Sequence, residues 1–585
     1  MRIPARLVAF ALLVSLLGLP LVLPLGELMS AGSWEAWTEA GRVGELALNT
    51  LGLCALTLLL AFPPGGGLAV LLYRTDLPGR SAWRAVLGVG LFVPLPLFAL
   101  AWQATGGGGW RPWTQGLFWA SFVHAAAALP WVVWLTGLGL TRVEPELEED
   151  AWTAAPGWRV FWRVSCRRAG PAFGLAAVWV ALQAAGEIAV TDMALVRTFA
   201  EEVLTQFVTG GPTALGRAVA VSLPATLLAI LVVGLLLRRW EGRLAITASG
   251  RPPLVFRLGR ARWPLAIVVG LAVAAYAGVP VVSLIRQAGG GNEFTVSRLG
   301  LELKRAVTLH LLMVLDRRAW LVAAGVLAAG LALVVDSRWW RGLLLALALA
   351  LWVVPGAVGL QLPMVLDSLV WAVVAGVLAA GLALAASWFA ADSRWWGGFL
   401  FALAVALWAV PGPVLGFGLK EAIDRLMDVE DVLLGWSDAR PVRAILYELS
   451  TPLPVLWAHV ARLFPYAVAF VWPAVRDVPR DLRESARVDG AGPWDEFRHV
   501  GWPAVRGAWL LAVVAVTALA LGELSASKIV QVPGRQTFVQ ELFNQMHYGA
   551  TATTAALALV QLSLALGAWA VILIAIRRTA YARAR

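Results

Sequence analysis

Apolar runs of about 20 residues, separated by short polar segments, recur along the whole chain. Each run is long enough to cross a bilayer as an α-helix, and a helix satisfies its own backbone hydrogen bonds in lipid. The pattern predicts an all-α polytopic membrane protein with about 14 spans. The predicted spans are residues 5–28, 45–72, 84–103, 117–140, 172–194, 217–237, 263–285, 319–335, 341–361, 369–390, 397–417, 452–475, 507–527 and 552–576.

The composition agrees with a membrane location. Charged residues make up 14% of the chain, whereas a soluble protein has about 25%. The net charge of +11 would suggest a nucleic-acid partner in a soluble protein. Here it predicts basic cytoplasmic loops, no nucleic-acid partner, and both termini on the cytoplasmic side. We interpret residues 5–28 as the first span, with a cleaved signal peptide as the alternative.

Part of the second half of the chain is a tandem copy. AGVLAAGLAL occurs at 324–333 and again at 375–384, and DSRWW occurs at 336–340 and 392–396. A duplicated helical hairpin at about 313–417 adds two crossings, so the topology after it is unchanged. The predicted domains are a first repeat of six spans (1–240), a basic cytoplasmic linker (241–262) and a second repeat of eight spans (263–585).

A polar segment at 480–504 interrupts the apolar pattern, and a related segment occurs 336 residues earlier. A short amphipathic helix broken by glycine, between two spans, must face water and can fill a groove on a soluble partner. The alternative for either loop is a solvated connector. The repeated positions are Glu148 and Glu484, Trp158 and Trp494, Phe161 and Phe497, Val164 and Val500, Gly186 and Gly522, and Glu187 and Glu523.

The second segment, ESARVDGAGPWDEFRHVGWP, resembles the Glu-Ala-Ala motif of binding-protein-dependent ABC importer permeases. Glu484, Ser485 and Ala486 match the triplet, and the remaining matches are Gly490, Val500 and Pro503. The first segment matches less well. It has Glu148 at the glutamate position, Ala154 in place of the glycine and Arg167 in place of the proline, with Phe161 retained and Gly157 expected to supply the turn.

This resemblance implies a multi-pass permease of the bacterial inner membrane, embedded in lipid. Its partners would be two ATPase subunits and a periplasmic or surface substrate-binding protein. No GxxxxGK[ST] sequence occurs in the chain, so ATP would be used by a separate subunit. No catalytic residue, cofactor or metal site is expected, since the sequence contains neither HExxH nor a nucleophile elbow, and its five histidines and two cysteines are scattered.

The solute is predicted from weaker signals. Stretches such as RTDLPGR (74–80), GEIAVTDM (186–193) and GELSASKIV (522–530) resemble ferric-iron permeases, with thiamine permeases, or carriers of another small solute or anion, as alternatives. Glu187 and Glu523 are intramembrane carboxylates, which are costly in lipid and are functional candidates for the translocation pathway. The other interpretation is that each bonds to a neighbouring helix or to backbone and holds the gate closed.

Two further alternatives remain open. An ion-coupled secondary transporter also uses repeats and membrane carboxylates, although its repeats are often inverted rather than parallel. An intramembrane enzyme lacks any catalytic constellation in this sequence. On the external side, residues 418–451 contain an amphipathic helix, which either docks a soluble protein or caps the bundle.

Overall fold

The protein is described by a computed structural model over residues 2–105, 114–244, 254–307, 364–435, 440–448, 451–547, 549 and 551–584. Within these ranges it is helical, and the one extended pairing is an isolated bridge between Thr75 and Phe256. The prediction of an all-helical polytopic membrane protein is confirmed.

The first half, up to the linker, contains thirteen helices among the described residues. They are α1 (Arg2–Leu13), α2 (Leu19–Gly26), α3 (Ala40–Arg74), α4 (Arg80–Val89), α5 (Leu95–Thr105), α6 (Gly116–Thr141), α7 (Pro145–Ala154), α8 (Gly157–Val160), α9 (Cys166–Arg168), α10 (Gly170–Ala185), α11 (Ala189–Met193), α12 (Phe199–Thr209) and α13 (Ala214–Leu244).

The second half follows a similar order of elements. Its described helices are α14 (Arg262–Ala288), α15 (Val296–Val307), α16 (Met364–Ala390), α17 (Arg394–Ala409), α18 (Gly412–Leu433), α19 (Pro441–Arg443), α20 (Leu453–Arg476), α21 (Arg480–Val488), α22 (Pro493–Glu496), α23 (Trp502–Ala520), α24 (Phe538–Met546) and α25 (Ala552–Ala584).

Nine helices of the described chain are long and apolar enough to cross a membrane, or up to eleven if each of two bent pairs is one span. Two of the 14 predicted spans, 319–335 and 341–361, lie outside the described residues, as does the first copy of the duplicated hairpin. The predicted span 172–194 is shorter in the structure, because α10 ends at Ala185 and the chain turns at Gly186.

Two predicted spans, 84–103 and 397–417, are sharply bent. The segment Arg80–Phe92 meets α5 at 108°, and α17 meets α18 at 110°. At each bend a valine with extended backbone precedes a proline, Val93 before Pro94 and Val410 before Pro411. Proline disfavours helical geometry in the residue before it, so an apolar run alone predicted a straight span where the chain turns.

The two halves interlock. α2 packs against α18 of the second half, and α14 packs against α5 of the first half. The largest apolar cluster accordingly contains Leu17 together with Phe417 and Phe464. The first span of each half therefore covers the bent pair of the other half.

The amphipathic helix predicted at 418–451 is the outer part of α18. Leu419 and Ile423 are buried, whereas Leu426 is largely exposed. The Glu430 carboxylate near its end accepts hydrogen bonds from the backbone N–H groups of Val442 and Arg443. The inner part of this helix therefore packs on the bundle, and its end is fastened to the following segment.

Candidate coupling loops and central cavity

The first polar loop joins α6 to α10. α7 begins at Pro145, whose fixed φ suits the first helical position. It ends at Ala154, after which Ala155 and Pro156 are extended, and Gly157 is the first residue of α8. The prediction that Gly157 supplies the turn is wrong, because the extended Ala155 and Pro156 make it.

A buried ion pair fastens this loop to the preceding spans. Arg74, the last residue of α3, donates from Nη2 to both carboxylate oxygens of Glu148, at 2.5 and 2.6 Å. Its Nη1 donates to the Leu140 carbonyl at 2.6 Å, and Ser165 Oγ donates to Glu148 Oε1 at 2.5 Å. Both charged side chains are 0% exposed. Four segments, α3, α6, α7 and the turn before α9, therefore meet at this ion pair.

The linker between the halves closes over this ion pair. The Phe256 N–H donates to the Arg74 carbonyl at 2.8 Å, and the Phe256 ring lies 5.5 Å from the Arg74 guanidinium carbon. The same ring stacks on Trp152 at 5.4 Å and meets Phe161 edge-on at 5.6 Å. Phe256 thus fills the space between the first loop and the end of α3.

The second polar loop joins α20 to α23 and is fastened by a cluster of charges. Arg483 donates to both oxygens of Asp392 and to Glu496, each at 2.8 Å. Arg487 also donates to Glu496, and the Arg483 guanidinium lies 4.5 Å from the Trp388 ring centre. Because Asp392 follows α16, this loop too is tied to the end of an earlier span.

The two anchors have opposite polarity. In the first, the cation Arg74 lies at the end of the span and the anion Glu148 lies on the loop. In the second, the anion Asp392 follows the span and the cation Arg483 lies on the loop. Both loop residues are buried. The loop residue that fastens each loop to its span can therefore carry either a negative or a positive charge.

This geometry corrects the predicted pairing of the loops. Glu148 is 0% exposed, so it does not share the environment of Glu484, which is exposed. The buried Glu148 instead corresponds to Arg483, and the next residue, Glu149, is exposed like Glu484. The constant spacing in the sequence concealed a shift of one residue, because the second loop has an additional residue at its turn.

Gly490 makes that turn. Its φ of +85° is left-handed, a conformation that glycine adopts without steric cost. The Gly490 N–H donates to the Arg487 carbonyl, and the Ala491 N–H donates to the Ala486 carbonyl at 2.9 Å. These bonds terminate α21 as a C-cap.

Beyond the turn, the predicted correspondence between the loops is retained. Five-residue π-helical turns occur at Phe161–Ser165 and Phe497–Gly501, starting 336 positions apart. Two further turns of this kind occur outside the loops, at Val14–Gly18 and Ala444–Glu448, so the matched position is what relates the two loops. The remaining motif residues divide between surface and interior: Ser485, Pro503 and Ala154 are exposed, Ala486 and Val500 are half-buried, and Phe161 is buried.

Each loop also presents a large aromatic side chain to the surface at an equivalent place, and the first loop exposes Trp152 and Trp162 as well. Trp158 is 64% exposed and Trp494 is 69% exposed. The repeat pattern contained both residues, but their exposure could not be deduced from the sequence. An exposed tryptophan at an equivalent place on each loop is suited to burial against a partner.

A cavity of about 200 Å³ lies between the two halves, within the bundle. Glu187 and Glu523 both line it, so the structure brings together the two carboxylates that the sequence singled out. The buried His124 and the half-buried Arg462 line the same space. The sequence pattern did not indicate either of them.

The two carboxylates are held in the same way. Glu187 accepts backbone N–H groups of Ala189 and Val190 at 2.7 and 2.9 Å. Glu523 accepts N–H groups of Ala526 and Ser527 at 2.8 and 3.0 Å, and also the Ser525 hydroxyl. A histidine lies near each carboxylate: His124 Nε2 is 3.8 Å from Glu187, and His459 Nε2 is 3.9 Å from Glu523. Each carboxylate therefore caps the turn that follows its span.

We expect Glu187→Gln and Glu523→Gln to lower thermal stability together with uptake. A carboxamide has one acceptor oxygen in place of two, so a capping N–H loses its partner, at a cost of about 1 kcal/mol. Glu523→Gln should have the larger effect, because that carboxylate accepts three bonds. Thermal unfolding of the purified protein and uptake by the complete transporter measure the two effects.

The exposed Glu45 of α3 offers a control, since Glu45→Gln removes a charge without removing a cap. Normal uptake in both cavity variants would exclude a pathway role for these carboxylates. Lost uptake at unchanged thermal stability would contradict the capping role.

No group of three or more His, Cys, Asp or Glu side chains in the described residues is arranged to hold a metal ion. Cys54 and Cys166 are both free thiols. The oxygens of the two cavity carboxylates accept hydrogen bonds from backbone N–H groups.

The fold and the cavity define a multi-pass helical membrane protein with polar loops fastened to its spans. Residues 383–579 match the protein family described as binding-protein-dependent transport system inner membrane component. The matched part includes the second polar loop and Glu523. The family is one of transmembrane subunits, in which ATP hydrolysis belongs to a partner subunit and not to the permease.

Curated relatives match shorter stretches. A putative 2-aminoethylphosphonate transport system permease protein, PhnV, of Salmonella typhimurium is 29% identical over 113 residues, covering 19% of this chain and 42% of the relative. The sulfate transport system permease protein CysW of Synechococcus elongatus is 36% identical over 107 residues, covering 17% of this chain and 37% of the relative. The chain thus spans less than half the length of the curated relatives it matches.

Proposed function

We propose that the chain is the transmembrane permease subunit of an ATP-driven ABC importer and supplies both halves of the translocation pathway. The observation that carries this proposal is the pair of polar loops, each with a π-helical turn and each fastened to an earlier span by an ion pair. The family match of residues 383–579 supports it for the second loop.

We propose further that residues 1–240 and 263–585 are two permease repeats joined by the linker 241–262. The similar order of helices and the reciprocal packing of α2 on α18 and of α14 on α5 support this. The duplicated hairpin at about 313–417 is an addition to the second repeat.

In this proposal each polar loop receives one ATPase subunit on the cytoplasmic side of the inner membrane, where both termini also lie. A substrate-binding protein delivers solute from the opposite side. Closure of the ATPase pair moves the loops, and the buried ion pairs transmit that movement to α3 and to the end of α16. The central cavity then opens alternately to the two sides.

An ion-coupled secondary transporter is the second candidate, because two carboxylates line the cavity. It is the weaker one, since it gives no role to two exposed loops held at matched places. For the solute, the resemblance favours ferric iron, whose preference for oxygen ligands fits the carboxylates. The similarity to permeases of 2-aminoethylphosphonate and sulfate transport systems favours an oxyanion.

The coupling role is tested at Gly490. Proline there requires a φ near −65° instead of +85° and removes the N–H bond to Arg487. A strain of about 1–3 kcal/mol at this turn should lower binding-protein-stimulated ATPase activity about tenfold. The assay uses the complete transporter in proteoliposomes.

Gly492→Ala is the matched control in the same turn. Its backbone has a negative φ of −67°, and an added Cβ would meet Asp495 only at 3.6 Å, an ordinary contact. Unchanged coupling in Gly490→Pro would count against the proposed role of this loop.

A further inference from the structure

Arg462 is a charged residue near the middle of α20, a span with a mean hydropathy of 1.4. A charge at such a position is costly and faces either the bundle interior or a water-filled cavity. Arg462 is half-buried and lines the central cavity, with Tyr466 one turn further along the helix.

The guanidinium of Arg462 is only partly satisfied. Its Nη1 donates to the Val410 carbonyl at 2.7 Å and to the Leu407 carbonyl at 3.3 Å, at the bend between α17 and α18. These are neutral acceptors. In the described part of the chain no carboxylate lies within 4.0 Å of Arg462, and its Nε and Nη2 have no hydrogen-bond acceptor there.

The carboxylates of the same cavity are occupied. Glu187 and Glu523 each accept at least two backbone N–H groups at the start of a helical turn, where the peptide dipoles offset negative charge. The formal charge of the lining therefore overstates its attraction for a cation. Arg462, in contrast, keeps its Nε and Nη2 donors without an acceptor.

Two further nitrogen atoms of the lining lack partners. Trp179 Nε1 is buried without an acceptor, and its ring packs against Tyr466 at 5.0 Å. His124 Nε2 has no hydrogen-bond partner although the side chain is only 3% exposed. An unpartnered indole N–H beside an unpaired guanidinium suits a solute that offers acceptors.

We propose that the solute crossing this cavity is a small tetrahedral oxyanion, of the phosphate, sulfate or phosphonate class, and that Arg462 contacts it. This inference rests on the proposed function. The planar guanidinium matches two oxygens of such an anion at once, which a lysine ammonium does not. The first half has no equivalent arginine at this cavity. If His124 and His459, which lie beside the two carboxylates, are taken as equivalent positions, the counterpart of Arg462 is Ala127, which also lines the cavity.

The test uses the complete transporter, with its ATPase and binding protein, in proteoliposomes. The probes are radiolabelled phosphate, sulfate, 2-aminoethylphosphonate and ferric citrate. We expect the unmodified protein to import one of the three oxyanions. Arg462→Gln should slow that import about tenfold or more, as loss of a charged hydrogen bond predicts, and Arg462→Lys should retain part of it.

Arg476→Gln is the matched control, since Arg476 is exposed at the end of the same helix. It should transport like the unmodified protein. Thermal unfolding separates contact with solute from capping of α17: a large loss of stability in Arg462→Gln, in parallel with lost uptake, would overturn the proposal. Wild-type uptake in Arg462→Gln would overturn it as well.

The failure of this inference is distinguishable from that of the proposed function. Import of ferric citrate alone, with ATPase stimulated by the binding protein, would refute the oxyanion and leave the importer intact. Absence of any stimulated ATPase activity would refute both.

Discussion

Glu148→Ala is expected to lower the free energy of unfolding by about 3–5 kcal/mol, because it leaves the Arg74 guanidinium buried without its counter-charge. Both side chains are 0% exposed, so water cannot replace the lost carboxylate. The Ser165 hydroxyl loses an acceptor as well. Denaturant titration of the purified protein in detergent measures the change.

Asp150→Ala is the matched control on the same helix, since Asp150 is exposed. It should change stability by no more than about 0.5 kcal/mol. A similar loss in both variants would show that the effect is general to α7 and unrelated to the ion pair.

The second anchor suggests a stricter form of this experiment. Asp392 and Arg483 fill the same role with the charges exchanged. The double variant Arg74→Glu with Glu148→Arg should therefore recover part of the stability that either single change loses. Absence of any recovery would mean that the shape of the first site, and not only its charge balance, is required.

Gly418→Val should disrupt the contact between the halves. A Cβ at this glycine of α18 would lie 1.8 Å from the Pro20 carbonyl oxygen of α2. That oxygen is backbone, so the two helices must separate. Overpacking of this kind costs about 1–3 kcal/mol or more, and helices in lipid depend on such close approach for their association.

Gly398→Ala is the control in the neighbouring helix α17, where an added Cβ meets no atom within 4 Å. Thermal unfolding and uptake are measured for both variants. Equal behaviour of Gly418→Val and Gly398→Ala would contradict the close packing of α2 on α18.

Several features could be predicted from the sequence because they depend on local composition. The apolar runs predicted helices in a membrane, and the polar segments at 148–167 and 484–503 predicted the two loops. The repeat also identified Glu187 and Glu523, which line one cavity. The prolines that follow Val93 and Val410 were a local signal for the two bends. Hydropathy alone does not show where the direction of the helix axis changes.

Other features were decided by partners distant in the chain. Arg74 and Glu148 are 74 positions apart, and neither residue alone indicates that they meet in a buried pair. Residue types at a constant spacing placed Glu148 opposite Glu484, whereas burial places it opposite Arg483. A fixed spacing does not reveal a shift of one residue when the neighbouring position is also a glutamate.

The sequence by itself determined that the chain is helical, lies in a membrane and carries two polar loops, since each depends on the residues within one segment. Only the tertiary structure decided how the loops are fastened, which carboxylates are already occupied by backbone N–H groups, and that Arg462 faces the cavity unpaired. These features depend on which side chains meet across the bundle. The free energy of a buried charge is set by the groups that contact it, and those groups come from distant parts of the sequence.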